Sequence, residues 1–124
     1  MKKKFLAVLL LAVLLAMSMA QAAWAATVAS GECGAEGDNV TWVLDDAGTL
    51  TISGTGEMAD FGYVEHSPWY ERRKDIEKVI IENGIVTIGN MSFAQCTSLI
   101  NVTMPNTITR IGEGTFQGCE KLVE

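Results

Sequence analysis

Apolar positions recur in the second half of this chain at a fixed short period. When Ile76–Ser98 is laid on Leu99–Lys121, Val79 falls on Val102, Ile81 on Met104 and Ile85 on Ile108. Ile88-Gly89 then falls on Ile111-Gly112, Phe93 on Phe116 and Cys96 on Cys119. Leu122 opens a third unit and Glu124 ends the chain, so the array reads as two units and the truncated start of another. Fixed apolar positions at a short period predict a mainly β repeat solenoid, in which one unit cannot bury its own core and neighbours stack to do so. Each unit opens with a strand, Lys78–Glu82 or Asn101–Pro105, whose inward residues lie two apart. Asn83-Gly84 or Pro105-Asn106 makes the next corner. A second extended piece follows, Ile85–Ile88 or Ile108–Ile111, and ends at Gly89 or Gly112, where a side chain would hinder the turn. Parallel strands stack ~4.8 Å apart. The pattern therefore predicts ladders of Val79 on Val102, Ile88 on Ile111 and Phe93 on Phe116.

Upstream the period is lost. Residues 26–37 are small, polar and Gly-containing, and read as a linker or loose entry. Val40, Trp42 and Leu44 alternate with Thr41 and Val43, as do Leu50 and Ile52 with Thr49, Thr51 and Ser53. With the turn signal Asp45-Asp46-Ala47-Gly48 between them, these predict a hairpin. Gly54–Asp75 reads as irregular, yet it carries Phe61, Tyr63, Trp69 and Tyr70. Aromatics of that size are expected to pack on the open end of the stack, making residues 26–75 an N-terminal β-hairpin cap.

Residues 1–25 read as a leader. Lys2, Lys3 and Lys4 precede an apolar run from Phe5 to Met17, then small residues up to Ala26. This is the pattern of a secretory signal peptide, with Ala23-Trp24-Ala25 as the cleavage signal and Ala20-Gln21-Ala22 as the second choice. A retained anchor is the alternative, but the run is shorter than the ~20 residues that span a bilayer. Removal after Ala25 leaves 99 of the 124 residues, one small domain with no further membrane insertion expected. Three of nine basic residues leave with the leader while all fifteen acids stay, so the formal charge falls from −6 to −9. That balance repels phosphate backbones and argues against nucleic acid.

Chemistry is sparse. Gly54-Thr55-Gly56-Glu57-Met58-Ala59 fits G-x-G-x-x-A, but no helix can follow it past Gly62 and Pro68, so a tight turn is the better account. His66, the only histidine, lies beside Glu65 and Ser67, whose side chains diverge from it; it reads as an exposed loop residue. Asp45-Asp46 sits on one turn, so it lacks the facing geometry of a glycosidase pair and the further oxygens of a calcium site. No zinc spacing occurs among Cys33, Cys96 and Cys119. One period apart, Cys96 and Cys119 are close enough for a disulfide in an exported chain. They also suit a ladder of small buried thiols, and that reading is preferred. No catalytic, cofactor-binding or metal-ligating residue is assigned.

The motif L-x-x-V-x-M-P-x-x-I-x-x-I-G-x-x-x-F-x-x-C, from Leu99 to Cys119, resembles the leucine-rich repeats of BspA-like (Treponema-type) bacterial surface proteins. Trp42–Gly56 and Pro68-Trp69-Tyr70 resemble the segment that leads into such arrays. The resemblance spans roughly residues 31–124 and implies a leucine-rich-repeat right-handed superhelix in a secreted or surface-displayed protein. It further implies a protein ligand on host or neighbouring cells, bound in adhesion without catalysis. The strand surface then offers one candidate binding face, Lys78, Ile80, Asn101 and Thr103. The alternative is an N-terminal piece of a larger exported protein, an enzyme included, in which this region is a cap or spacer. An uncapped last unit also predicts self-association through its free strand edge.

Overall fold

The computed structural model describes residues 25–123; residues 1–24, where the expected leader and most of its cleavage signal fall, and Glu124 lie outside them. Eight strands and one short 3-10 helix make the described chain mostly β. In order they are β1 (Thr27–Gly34), β2 (Gly37–Asp45), β3 (Thr49–Gly54), β4 (Gly56–Glu57), the 3-10 helix (Tyr70–Asp75), β5 (Lys78–Ile81), β6 (Ile85–Ile88), β7 (Asn101–Thr103) and β8 (Arg110–Ile111). The strands form a five-stranded sheet, β1-β2-β3-β5-β7, and a three-stranded sheet, β4-β6-β8. The pairs β1–β2 and β2–β3 are antiparallel, and every later pair is parallel.

Parallel pairing follows the offset between the repeats. Val79 lies opposite Val102, and Ile88 opposite Ile111. The Phe93 and Phe116 rings stack with centroids 5.8 Å apart and planes 17° from parallel. In-register pairing places the same residue type at the same depth in successive units, so each apolar rung covers the one below it. Val79, Ile85, Ile88, Phe93 and Leu99 are completely buried as a result.

Two expectations are corrected. Residues 26–37 are neither linker nor loose entry: Thr27–Gly34 is an edge strand held by β2, although it has little apolar alternation of its own. Gly31 eases that pairing, because a Cβ there would press on the Trp42 indole nitrogen at 3.0 Å. The repeat strands are also shorter than their apolar pattern. The first ends at Ile81, the next at Thr103 before Pro105, and the last holds only Arg110–Ile111. Pro105 has no N–H to continue a ladder. Gly89 and Gly112 end the second extended pieces where a side chain would hinder, as expected, and neither has a positive φ. They serve close approach. A Cβ on Gly89 would fall on the Ala59 carbonyl, and one on Gly112 on the Asn90 backbone.

The irregular segment is the largest revision. β3 pairs in parallel with β5, Leu50 opposite Val79 and Ile52 opposite Ile81. β4 likewise pairs with β6. Trp69 is buried and stacks on Phe93 at 5.6 Å, while its indole N–H donates to the Ser92 carbonyl at 2.8 Å. Residues 49–75 are therefore a unit of the same kind as the two repeats, with Trp69 where they carry Phe93 and Phe116. Tyr63 is the exception among the expected packing aromatics, being 73% exposed.

At the other end burial falls away. Met104 is 37% and Ile111 48% exposed, against 2% and 0% for Ile81 and Ile88 one unit earlier.

Candidate interaction face

Strand alternation decides which side chains leave the core. In β3 and β5 the residues Leu50, Ile52, Val79 and Ile81 point inward, so Thr49, Thr51, Lys78 and Ile80 point out. Register then sorts the outward residues into rows. Ser30 pairs with Val43, Val43 with Thr51, Thr51 with Ile80, and Ile80 with Thr103. A neighbouring row runs Thr49, Lys78, Asn101. The four residues read from the sequence, Lys78, Ile80, Asn101 and Thr103, thus occupy adjacent places on one surface. The sequence reading missed Thr49, Thr51, Val43 and Ser30 beside them. The alternation around Val43, Thr49 and Thr51 was visible, but the pairing of β3 with β5 that joins them to the repeats was not, and Ser30 lies on a strand with little alternation of its own.

The face is polar and β-branched. Ser30, Lys78, Asn101 and Thr103 are exposed, Val43 is 38% exposed, and Thr51 and Ile80 are half-buried among their neighbours. No charged pair crosses the rows: the one ion pair among the described residues joins Arg110 to Asp60 at 3.6 Å, away from this sheet. β-branched side chains held on a pleated sheet lose little rotamer freedom when a partner covers them.

Other polar groups have structural work. The Asp45 carboxylate closes its turn by accepting from the Ala47 and Thr49 amides at 3.0 and 2.9 Å. Gly54 and Gly56, at φ 131° and 89°, turn the chain from β3 into β4, and no helix follows. His66 is exposed and stacks on Tyr70 at 3.7 Å, with the Arg73 guanidinium 4.1 Å from the Tyr70 ring. Asp60 accepts from the Asn90 amide, and the Asn90 side chain from the Glu113 amide, each at 2.8 Å. These residues repeat one rung of a ladder rather than converge on a ligand.

The three cysteines are free thiols. Burial pushes Cys33 and Cys96 up to about 12, from an ordinary value of 9.0. Burial also raises Cys119, whose thiol donates to the Phe93 carbonyl at 3.1 Å. Groups held protonated in this way are poor nucleophiles at neutral pH. Among the described residues no three His, Cys, Asp or Glu side chains cluster to hold a metal ion. No helix among them is long and apolar enough to cross a membrane.

Residues 66–124 match the family described as "BspA type Leucine rich repeat region (6 copies)". That segment is thus similar to BspA-type leucine-rich repeats. A crystal structure of a leucine-rich repeat protein from Eubacterium ventriosum is 39% identical, with a TM-score of 0.64, over 73% of this chain. The chain covers 24% of that protein's length. No curated protein matches it significantly. BspA-type repeats are bacterial, are typically non-catalytic and generally bind proteins, and proteins bearing them are typically secreted or surface-displayed.

Proposed function

We propose that this is an exported bacterial protein whose repeats wind as a right-handed solenoid and bind another protein in adhesion. The outward rows of the five-stranded sheet are the binding face. One observation carries the reading: the inward residues of β3 and β5 are buried, while the outward ones stay half-buried or exposed in continuous rows. Lys78, Ile80, Asn101 and Thr103 are its repeat-borne contacts, extended by Thr51 and Val43. The lysine-led apolar leader and the Ala23-Trp24-Ala25 signal support export. A ligand on a host or neighbouring cell follows from that location. The lack of any convergent nucleophile, base and orienting group on this face favours binding over turnover.

Surface plasmon resonance against a panel of extracellular host proteins tests this. Ile80→Glu and Thr51→Lys alter only outward positions and leave the ladder intact. They are expected to weaken a saturable interaction about tenfold or more, equivalent to about 1.4 kcal/mol. An affinity untouched by both substitutions overturns the assignment of the face. Binding to nothing on the panel counts against adhesion itself.

A further inference from the structure

The start of the described chain is fastened to the hairpin turn by two reciprocal hydrogen bonds. The Ala26 nitrogen donates to Asp46 Oδ1 at 3.1 Å, and the Asp46 nitrogen donates to the Ala26 carbonyl at 2.8 Å. Pairing with β2 begins at the next residue, Thr27 opposite Asp45, so Ala26 is the last position before the sheet. Ala25 and Ala26 are both exposed.

We propose that the Ala25–Ala26 bond is the processing site of the leader, and that the Asp46 carboxylate receives the amino terminus created there. The proposal rests on the export reading above and selects between its two cleavage signals. Hydrolysis adds water across the bond: Ala25 departs as a carboxylate, and the Ala26 nitrogen becomes an amine. An α-amine titrates near ~7.7–8.0, so this one is an ammonium at neutral pH. The same nitrogen already lies within hydrogen-bond distance of a carboxylate. Cleavage therefore converts an amide hydrogen bond into a charge-assisted one with no displacement of β1.

The surroundings favour the cation. Asp45 shares the turn, and Asp75 and Glu77 line the adjoining hollow beyond Val28, against Arg72, Lys74 and Lys121 on the same hollow. With Asp46 itself, four carboxylates thus face three cations. Cleavage after Ala22 would instead leave Ala23-Trp24-Ala25 in place, keep the Ala26 nitrogen an amide and put the new charge upstream of the Asp46 contact, on Ala23. The clamp has a mechanical purpose as well. β1 is an edge strand whose register slips between Thr27 and Ala29, so its first residue has little else to hold it. Leader peptidases act on an extended chain during export. The folded position of Ala26 decides what the new amine meets afterwards.

The test uses the full chain, leader included, expressed in a bacterium and recovered outside the cytoplasm. Intact-mass spectrometry is expected to show a protein beginning at Ala26. A protein beginning at Ala23 overturns this site and leaves export standing. A chain that stays uncleaved in the cell overturns both. The docking is tested on the mature protein by its acylation rate at neutral pH with an N-hydroxysuccinimide ester, read by peptide mass spectrometry. Asp46→Asn is expected to speed labelling of the Ala26 amine by about threefold or more, the effect of half a pKa unit. Lys78, outside that hollow, should label alike in both proteins, which shows that the fold is retained. Equal Ala26 rates in the two proteins would reject Asp46 as the receptor.

Discussion

Phe93 and Phe116 are the same residue at the same place in successive units, which isolates the value of being covered on both sides. Phe93 is completely buried, with the Trp69 ring 5.6 Å away on one face and the Phe116 ring 5.8 Å away on the other. Phe116 is half-buried and has only the Phe93 ring beside it. Truncating a buried phenylalanine to alanine costs ~3–5 kcal/mol, transfer and cavity together. Phe93→Ala should reach that range, since two stacked pairs worth ~0.5–1.5 kcal/mol each are lost with it. Phe116→Ala removes about half the buried area and one pair, leaves no enclosed cavity, and should cost ~1–2 kcal/mol. A domain of this size has ~5–15 kcal/mol in all. Phe93→Ala therefore lowers the melting temperature by at least ~12 °C, and Phe116→Ala by ~4–16 °C. Urea titration followed by tryptophan fluorescence is the assay, because Trp69 sits on the Phe93 ring and Trp42 lies 5.6 Å from Trp69. Equal losses for the two variants, or a larger one for Phe116→Ala, would refute the ladder as the source of stability.

Other consequences are measurable in the same way. Gln95 is exposed and held at φ 62°, where the next unit carries Gly118 at φ 78°. Relief of ~1–2 kcal/mol of left-handed strain exceeds the ~0.5–1 kcal/mol entropic cost of glycine, so Gln95→Gly should raise the urea midpoint, and a fall would refute this. Cys33 and Cys96 ionise near 9.0 when exposed and near 12 in the fold, so unfolding releases their protons above pH 9. Stability is thus full below about pH 9 and falls up to about pH 12 by ~1.4 kcal/mol per pH unit and thiol. Cys96→Ala should remove one thiol's share of that slope, and an unchanged slope in alkaline urea titrations would exclude the mechanism. A polypeptide cut to residues 26–124 should self-associate through the edges of β7 and β8, beside which Met104 and Ile111 are exposed. Sedimentation should show Ile111→Lys shifting the protein to monomer, whereas a wild-type monomer at every concentration would count against the edge.

How far the fold was legible depended on whether a unit kept its length. Val79 and Val102, or Phe93 and Phe116, lie one repeat length apart, and a fixed-period alignment finds them at once. Their outward neighbours Lys78, Ile80, Asn101 and Thr103 follow from strand alternation alone. Leu50, by contrast, precedes its partner Val79 by more than one repeat length, because the segment between Phe61 and Trp69 is longer than that between Met91 and Phe93. The same alignment slides past it, so β3 looked like half of an isolated hairpin and the outward face looked two strands wide. β1 was hidden for a different reason. Its strand character comes from the partner strand β2, not from its own sparse apolar residues. A signal for the lengthened unit was present in the chemistry. Trp69 leads into Ile76-Glu77-Lys78-Val79 as Phe93 leads into Leu99-Ile100-Asn101-Val102: a large ring, a short turn, then two apolar residues three apart. What is kept between units is the order of shapes that must stack, while spacing survives only where the loops between them do not grow. An insertion on the outside of a stacked unit disturbs no rung, and closing the longer loop adds little entropic cost.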